Sequence, residues 1–313
     1  MLSRTADNLY WLSRYAERAD FVARILDATL RLASLPSSYG GQRKEWEGAV
    51  SVAGDLEEFR NLYDEANEHT VRDFLAFNRA NPSSIRSCIE TAREKARSVR
   101  TALTGEMWEA VNGAWLELQT IEPAGMGRDE FVRFLDWTKG VSLAFDGSAY
   151  RTMLRNDAFW FTRLGIAIER ADNTARILDV KYHLLLPETE GVGGSLDYFQ
   201  WITILREVSA VTAYHWVYRQ SVQPWLVADL LILNRRLPRS LANCYEILVR
   251  HLDLIGDDYG RRGPSQRYAS NTLARLRSTA IDSVFTKGLH EYIQDFVAEN
   301  NRLGTAINEQ YLV

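Results

Sequence analysis

The residues in this chain best suited to chemistry occur twice. Glu17-Arg18-Ala19-Asp20 with Ala23-Arg24-Ile25-Leu26-Asp27 returns 152 residues later as Glu169-Arg170-Ala171-Asp172 with Ala175-Arg176-Ile177-Leu178-Asp179. Arginines held rigid by carboxylates form a receptor for a substrate carboxylate or phosphate, because the planar guanidinium presents a two-pronged set of donors. Arg14, Arg18, Arg24, Arg170 and Arg176, with Tyr10 beside them, are the candidates for that binding role. Glu17 and Glu169 are the candidates for catalysis, as general bases, on the condition that burial raises their pKa. The pairs Glu17/Asp20 and Glu169/Asp172 also have the i,i+3 spacing of carboxylate-bridged dimetal bundles. Aspartate stands where such a site would need histidine, and the flanking arginines repel a cation, so no metal is expected.

The same atoms admit a purely structural reading. Asp20 to Arg24 and Asp172 to Arg176 are i,i+4 pairs, worth only a few tenths of a kcal/mol on an exposed helix. The first segment, however, is apolar around much of its circumference (Leu9, Trp11, Leu12, Tyr15, Phe21, Val22, Ile25, Leu26), so its charges are expected to be partly buried. Buried charges need partners, and two related helices can exchange them: Glu17 with an arginine of the second copy, Glu169 with one of the first.

Both segments read as helices. At about 100° per residue, Leu12, Ala16, Ala19, Ala23 and Leu26 form one stripe, and Tyr10, Arg14, Glu17, Phe21 and Arg24 another. The small alanines mark the first stripe as the expected joint with a neighbouring helix, which leaves the second for chemistry. The other copy keeps Glu169 and Arg176 but has Ile166 for Arg14 and Thr162 for Tyr10, so specificity is expected from the first helix.

Helical periodicity and only seven prolines across 313 residues predict an all-α helical bundle. Helices are expected from Ser3, as cap, to about Leu35; over 44–62, 69–78, 84–104, 108–118 and 129–146; then from 156 or 157 to Leu186, and over 196–218, 225–234, 240–253 and 268 to the C-terminus. Gly147 and Ser148 close the first half. A second match ties Val71, Asp73, Leu75, Asn78, Arg79, Pro82, Ser84, Cys88 and Glu90 to Val227, Asp229, Leu231, Asn234, Arg235, Pro238, Ser240, Cys244 and Glu246, offset by 156. The expectation is one unit over 1–313, built from two pseudo-equivalent duplicated halves, about 1–150 and 151–313.

Composition excludes several function classes. A net charge of −4 with no basic block leaves no footprint for nucleic acid. No apolar run nears the roughly 20 residues of a membrane helix, and the start reaches Arg4 and Asp7 at once, so neither a membrane span nor a signal peptide is expected. Two cysteines, at matching positions and without a nearby histidine, read as small core residues in a reducing, cytoplasmic setting. Gly191-Val-Gly-Gly194 lacks the lysine and preceding strand of a phosphate loop, so no cofactor is expected. Arg93, Arg97 and Arg100, and the aromatic run Tyr214-His215-Trp216 with Tyr218, read as a solvated face and as core, with an extended anion site and a pocket lining as their alternatives.

Leu2-Ser3-Arg4-Thr5-Ala6-Asp7-Asn8-Leu9-Tyr10-Trp11, Arg14-Tyr15, Glu17-Arg18-Ala19, Ile168-Glu169-Arg170-Ala171-Asp172, Ala92-Arg93-Glu94 with Ala96-Arg97, and Pro238-Arg239-Ser240 resemble the alpha-E domain family, bacterial all-helical proteins with a Glu-Arg motif. Lys95 departs from the asparagine usual in that pattern. The resemblance implies the company of a circularly permuted ATP-grasp protein, and of transglutaminase-like proteins, in a system that makes or modifies peptides. The implied role is binding of a small peptide or amino-acid-like substrate, as carboxylate or acyl phosphate, in an Arg/Glu cleft. The alternative is a non-catalytic scaffold in which the network is structural and the surface docks the ligase.

Overall fold

A computed structural model describes residues 1–34, 42–54, 56–183 and 194–312. The loops expected at 36–41 and 191–193, and the helix ends expected at Leu35 and Leu186, lie outside the described residues. Among those described, all regular structure is helical. The first part contains α1 (Ser3–Leu32), α2 (Gln42–Ala53), α3 (Leu56–Leu62), α4 (Glu68–Arg72) running into a π turn (Asp73–Phe77), α5 (Ile85–Ser98), α6 (Gly105–Leu118) and α7 (Arg128–Thr152). The second contains α8 (Asp157–His183), α9 (Ser195–Glu207), α10 (Val211–Tyr218), α11 (Pro224–Ile232), α12 (Leu241–Asp258), α13 (Pro264–Ser278), α14 (Ile281–Lys287) and α15 (Leu289–Ile307).

Local chemistry explains most boundaries and corrects several expected ones. Ser84 and Ser240 cap α5 and α12, their hydroxyls accepting from the backbone N–H of Ser87 and Asn243. Ser3 is not a cap; it is already inside α1, and Leu2 holds the cap position without a side-chain bond. Gly105 starts α6 behind the Thr104 cap instead of ending a helix. Gly147 and Ser148 sit inside α7, which runs on to Thr152. The expected helix over 44–62 divides at Gly54, whose φ of +89° no L side chain adopts cheaply. The one over 196–218 divides at Ser209, where φ is +55° and no glycine or proline announces a break. Gly288, at φ +103°, separates two of the three helices that replace the expected single helix from Tyr268 onward.

The matched segments make matching contacts. Asn78 Oδ1 accepts from Ala80 N–H at 2.8 Å, and Asn234 Oδ1 from Arg236 N–H at 2.9 Å. Tyr63 donates to Asp73 and Tyr218 to Asp229. Arg79 pairs with Glu90, and Arg235 with Glu246. Cys88 and Cys244 are both fully buried, their Sγ atoms 3.9 and 3.8 Å from the carbonyls of Pro82 and Pro238.

At the centre, α1 packs on α8, α5, α7, α9 and α2, while α8 also packs on α12 and α15. Leu9, Leu12, Ala23 and Leu26 of α1 and Leu164, Ala171, Ala175 and Leu178 of α8 have no exposed surface. The alanine stripe is nevertheless not where α1 meets α8. Contacts climb together along the two helices: Tyr10 and Ser13 at Gly165, Arg14 and Arg18 at Glu169, Glu17 at Arg170 and Asn173. The charged stripe is therefore itself the joint. The closest point is Gly165, where a Cβ would lie 2.3 Å from the Tyr10 carbonyl oxygen and 2.9 Å from the Ser13 side chain. Backbone cannot yield as a flexible side chain can, so Gly165→Ala is expected to force the helices apart and cost about 1–3 kcal/mol. Urea unfolding would show this as a lower midpoint, whereas Gly140→Ala on α7, where an added Cβ would meet nothing within 4 Å, should not lower it.

Candidate functional site

The exchange across the α1–α8 joint is reciprocal. Arg170 holds Glu17 with both prongs, Nε to Oε1 at 2.9 Å and Nη2 to Oε2 at 2.8 Å. Arg18, which holds the position of Arg170 in the matching Glu-Arg segment, donates Nε to Glu169 Oε1 at 2.6 Å. The two carboxylates then diverge in their remaining partners. Glu17 takes a third bond from Arg239, at the turn before α12, whose Nη1 reaches Oε1 and whose Nη2 reaches Asp20 Oδ2, each at 2.9 Å. Glu169 is completed by Arg14 instead, Nε to Oε2 at 2.7 Å, with the Arg14 guanidinium over the Trp11 ring.

The Glu17 side is closed. Arg170 also binds Asp146, and Arg24 donates to Asp20 at 2.7 Å, to the Glu207 carbonyl at 2.6 Å and to Ser209 at 3.1 Å. Their side chains are only 11% and 8% exposed. Both guanidiniums are thus spent on the protein itself. The Glu169 side opens instead on a cleft of about 220 Å³, lined by Arg18, Glu169, Asp172, Asn173, Arg176 and Ser83, with Gly54 at the end of α2 and Phe21 and Val22 completing the wall. Arg176 donates Nε to Asp172 Oδ2 at 2.6 Å. Arg18 and Arg176 are 23% and 31% exposed.

Of the eight residues predicted from sequence, the structure brings Arg18, Glu169 and Arg176 together around this cleft. Arg14 stands behind them, on Glu169. Tyr10 is fully buried, its hydroxyl 3.4 Å from Arg14 Nη1, and Glu17, Arg24 and Arg170 lie in the closed network. Of the Tyr10–Arg24 stripe only Phe21 lines the cleft; α1 adds Arg18 and Val22 from outside that stripe, and α8 contributes Glu169, Asp172, Asn173 and Arg176. Arg239 and Ser83 were missed as site residues. Each stands directly before a serine cap in the Pro-x-Ser match, and only the fold carries that turn to the neighbouring helix.

The electrostatics also correct the condition set for a general base. Burial alone would raise Glu17, but the Arg170 and Arg239 guanidiniums overcome it and hold the carboxyl at about 2. Against the same burial, Arg18 and Arg14 hold Glu169 at about 2. A base at that value is matched to neither donor nor acceptor near neutral pH, so these carboxylates position arginines. The carboxyl that does approach neutrality is Glu207, pushed up to about 8 by burial and by the Asp27 charge, in a separate apolar cavity of about 30 Å³. Among the described residues no cluster of three or more metal-ligating side chains forms. Arg93 bonds Asn112 away from the cleft, and Tyr214 is core while Trp216 is 77% exposed. No helix is long and apolar enough to cross a membrane among the described residues.

Comparison with known proteins finds the Alpha-E family, described as a predicted alpha-helical domain with a conserved ER motif, matching residues 1–312. No curated protein and no solved structure matches the chain.

The low carboxyl values carry a pH dependence whose sign follows from linkage. Both glutamates titrate near 2 when folded and near 4.3 when unfolded, so the unfolded chain binds more protons between those values. Their contribution is complete above about pH 5 and is lost as pH falls toward 2. Glu169→Gln should lower stability at pH 7 by about 3–5 kcal/mol, because Arg14 and Arg18 lose their buried partner, and should flatten the acid decline. Urea midpoints measured from pH 7 to pH 3 for both proteins test this; parallel curves would contradict it.

Proposed function

The chain belongs to the Alpha-E family, and from that premise we propose that its α1–α8 cleft binds a peptide-like ligand through a carboxylate or acyl phosphate. The observation that carries this reading is the state of two guanidiniums. Arg18 and Arg176 each commit only Nε to a carboxylate, and their terminal N–H groups have no acceptor among the described residues where the side chains line the cleft. Each is thereby oriented but not spent. Around the cleft Arg18 and Arg176, with Arg14 behind them, stand against Glu169 and Asp172, three positive charges against two negative. Arg18 and Arg176 are close enough that each charge is felt by the other, and an anion between them relieves that repulsion. Beyond Arg176 a second cleft of about 520 Å³, with Asp179, His290 and Gln294 in its wall, offers room for a ligand longer than one residue.

The place of this binding step in an amide-forming or amide-modifying system, beside an ATP-grasp partner that activates the carboxylate, rests on the family resemblance of the Glu-Arg segments. In that setting the cleft would receive the carboxylate before activation or the acyl phosphate after it. The scaffold reading is favoured by a different observation, the closed Glu17–Arg170–Arg239–Asp20 network, and it accounts for that side of the joint.

Titration with N-acetyl-L-alanine and with inorganic phosphate, followed by NMR shifts or calorimetry, tests the anion site. Losing charge-assisted bonds worth about 1.5–3 kcal/mol, Arg176→Gln should bind either probe about 10- to 100-fold more weakly while melting close to the parent protein. Equal affinity in a folded Arg176→Gln protein, or no binding of either probe to the parent, would overturn the reading.

A further inference from the structure

The cleft has the place of a missing side chain. In the closed half, the residue before the Ser240 cap is Arg239, which spans Glu17 and Asp20. In the open half, the residue before the Ser84 cap is Ser83, and it borders the cleft together with Glu169 and Asp172. The surroundings correspond as well. Thr174 and Asn173 of α8 bond the Arg239 carbonyl and the Glu17 carbonyl, and their counterparts Val22 and Phe21 of α1 line the cleft beside Ser83. Arg24 and Arg176 hold Oδ2 of Asp20 and Asp172 in the same way, at 2.7 and 2.6 Å.

What differs is where the third guanidinium stands. In the closed half it is Arg239, between the two carboxylates; in the open half it is Arg14, on the far oxygen of Glu169. The three-guanidinium count is preserved, but the space is vacated and, among the described residues, Asp172 keeps one guanidinium where Asp20 has two. Asp172 Oδ1 is buried with no hydrogen-bond partner, as is Asp20 Oδ1. The distinction between the halves is therefore the cationic donor that Asp20 has from Arg239 and Asp172 lacks.

We infer that a ligand's α-ammonium group takes that position, donating to Asp172 and Glu169 while the ligand's carboxylate or acyl phosphate lies on Arg18 and Arg176. The ligand class is then an α-amino acid, or a peptide residue with its amine free, and not a simple carboxylate. The spacing selects it: Asp172 and Arg176 are one helical turn apart and joined at 2.6 Å, so a ligand using both must carry opposite charges a few ångströms apart. A cation on a long stem does not satisfy that. This inference rests on the anion site proposed above, and adds the amine.

L-alanine compared with N-acetyl-L-alanine separates the two ideas, since both carry the carboxylate and only the first carries an ammonium. The parent protein should bind L-alanine at least tenfold more tightly. Asp172→Asn should bring the two probes to similar affinity while N-acetyl-L-alanine still binds. Ser83→Arg should place a guanidinium over Glu169 and Asp172 as Arg239 does over Glu17 and Asp20, abolishing binding of both probes and raising the melting temperature. Equal affinity of the parent for the two probes overturns the ammonium position and leaves the anion site standing; failure of both probes to bind overturns both. Undiminished L-alanine binding by a folded Ser83→Arg protein also overturns the inference.

Discussion

The fold depends on a buried exchange of charge: Glu17 bound by Arg170 in one direction, Glu169 bound by Arg18 and Arg14 in the other. Taking such groups out of water is expensive, and the Coulombic return only offsets it when every oxygen has a donor. That requirement constrains the surrounding helices. Both glutamates are buried with guanidiniums on both oxygens, so α1 and α8 can cross only in the register that aligns residues 17 and 18 with 169 and 170. Gly165 permits the close approach that brings them within reach. Apolar packing around the pair supplies the stabilisation; the charges select which packing is allowed.

Given this joint, the two sides of it differ in what they leave over. On the Glu17 side Arg239, Arg24 and Asp146 fill the space around Glu17 and Asp20, and the network ends in backbone carbonyls and hydroxyls. On the Glu169 side Ser83 is too short to bridge, and Arg14 satisfies Glu169 from behind. Two guanidiniums remain, those of Arg18 and Arg176, whose orientation is already fixed by a carboxylate but whose outer N–H groups have no acceptor among the described residues. Such pre-orientation lowers the ordering cost of binding an anion, since each Arg has lost its rotamer freedom before the ligand arrives. A carboxylate held near 2 serves that arrangement well, because it stays charged, and keeps its arginine in place, at neutral and mildly acidic pH.

The repeated motif was readable because identity of type at fixed spacing needs no knowledge of the fold. From it came the cross-pairing of each glutamate with an arginine of the other Glu-Arg segment, and three of the residues that meet at the cleft. The helix wheel then misled in a specific way. It marked alanines as the joint because small side chains usually permit close approach, whereas here the approach is made by one glycine and the polar stripe lies inside it. The break at Ser209 was illegible for a related reason: positive φ at a serine is imposed by tertiary contacts, not by local propensity. Arg239 and Ser83 were visible as part of a Pro-x-Ser match, but Arg239 bonds Glu17, 222 residues away, and Ser83 borders a cleft shared with Glu169, 86 residues away.

The comparison of those two positions is also the strongest reason to treat the cleft as built and not incidental. A gap left by poor packing is expected to be apolar and to cost stability in proportion to its volume. This one is lined by Arg18, Arg176, Glu169 and Asp172, and a substitution of the kind seen at residue 239 would fill it. The charge that an arginine at 83 would have brought is supplied instead by Arg14, where the matching position of the second Glu-Arg segment has the apolar Ile166. Moving a guanidinium from the centre of the cleft to its back preserves the buried charge balance at Glu169 while opening the space in front of it. Structural need alone would be met by either arrangement. Only the open one exposes oriented donors and an under-partnered Asp172 to the same small volume, which is the condition for holding a ligand of both charges.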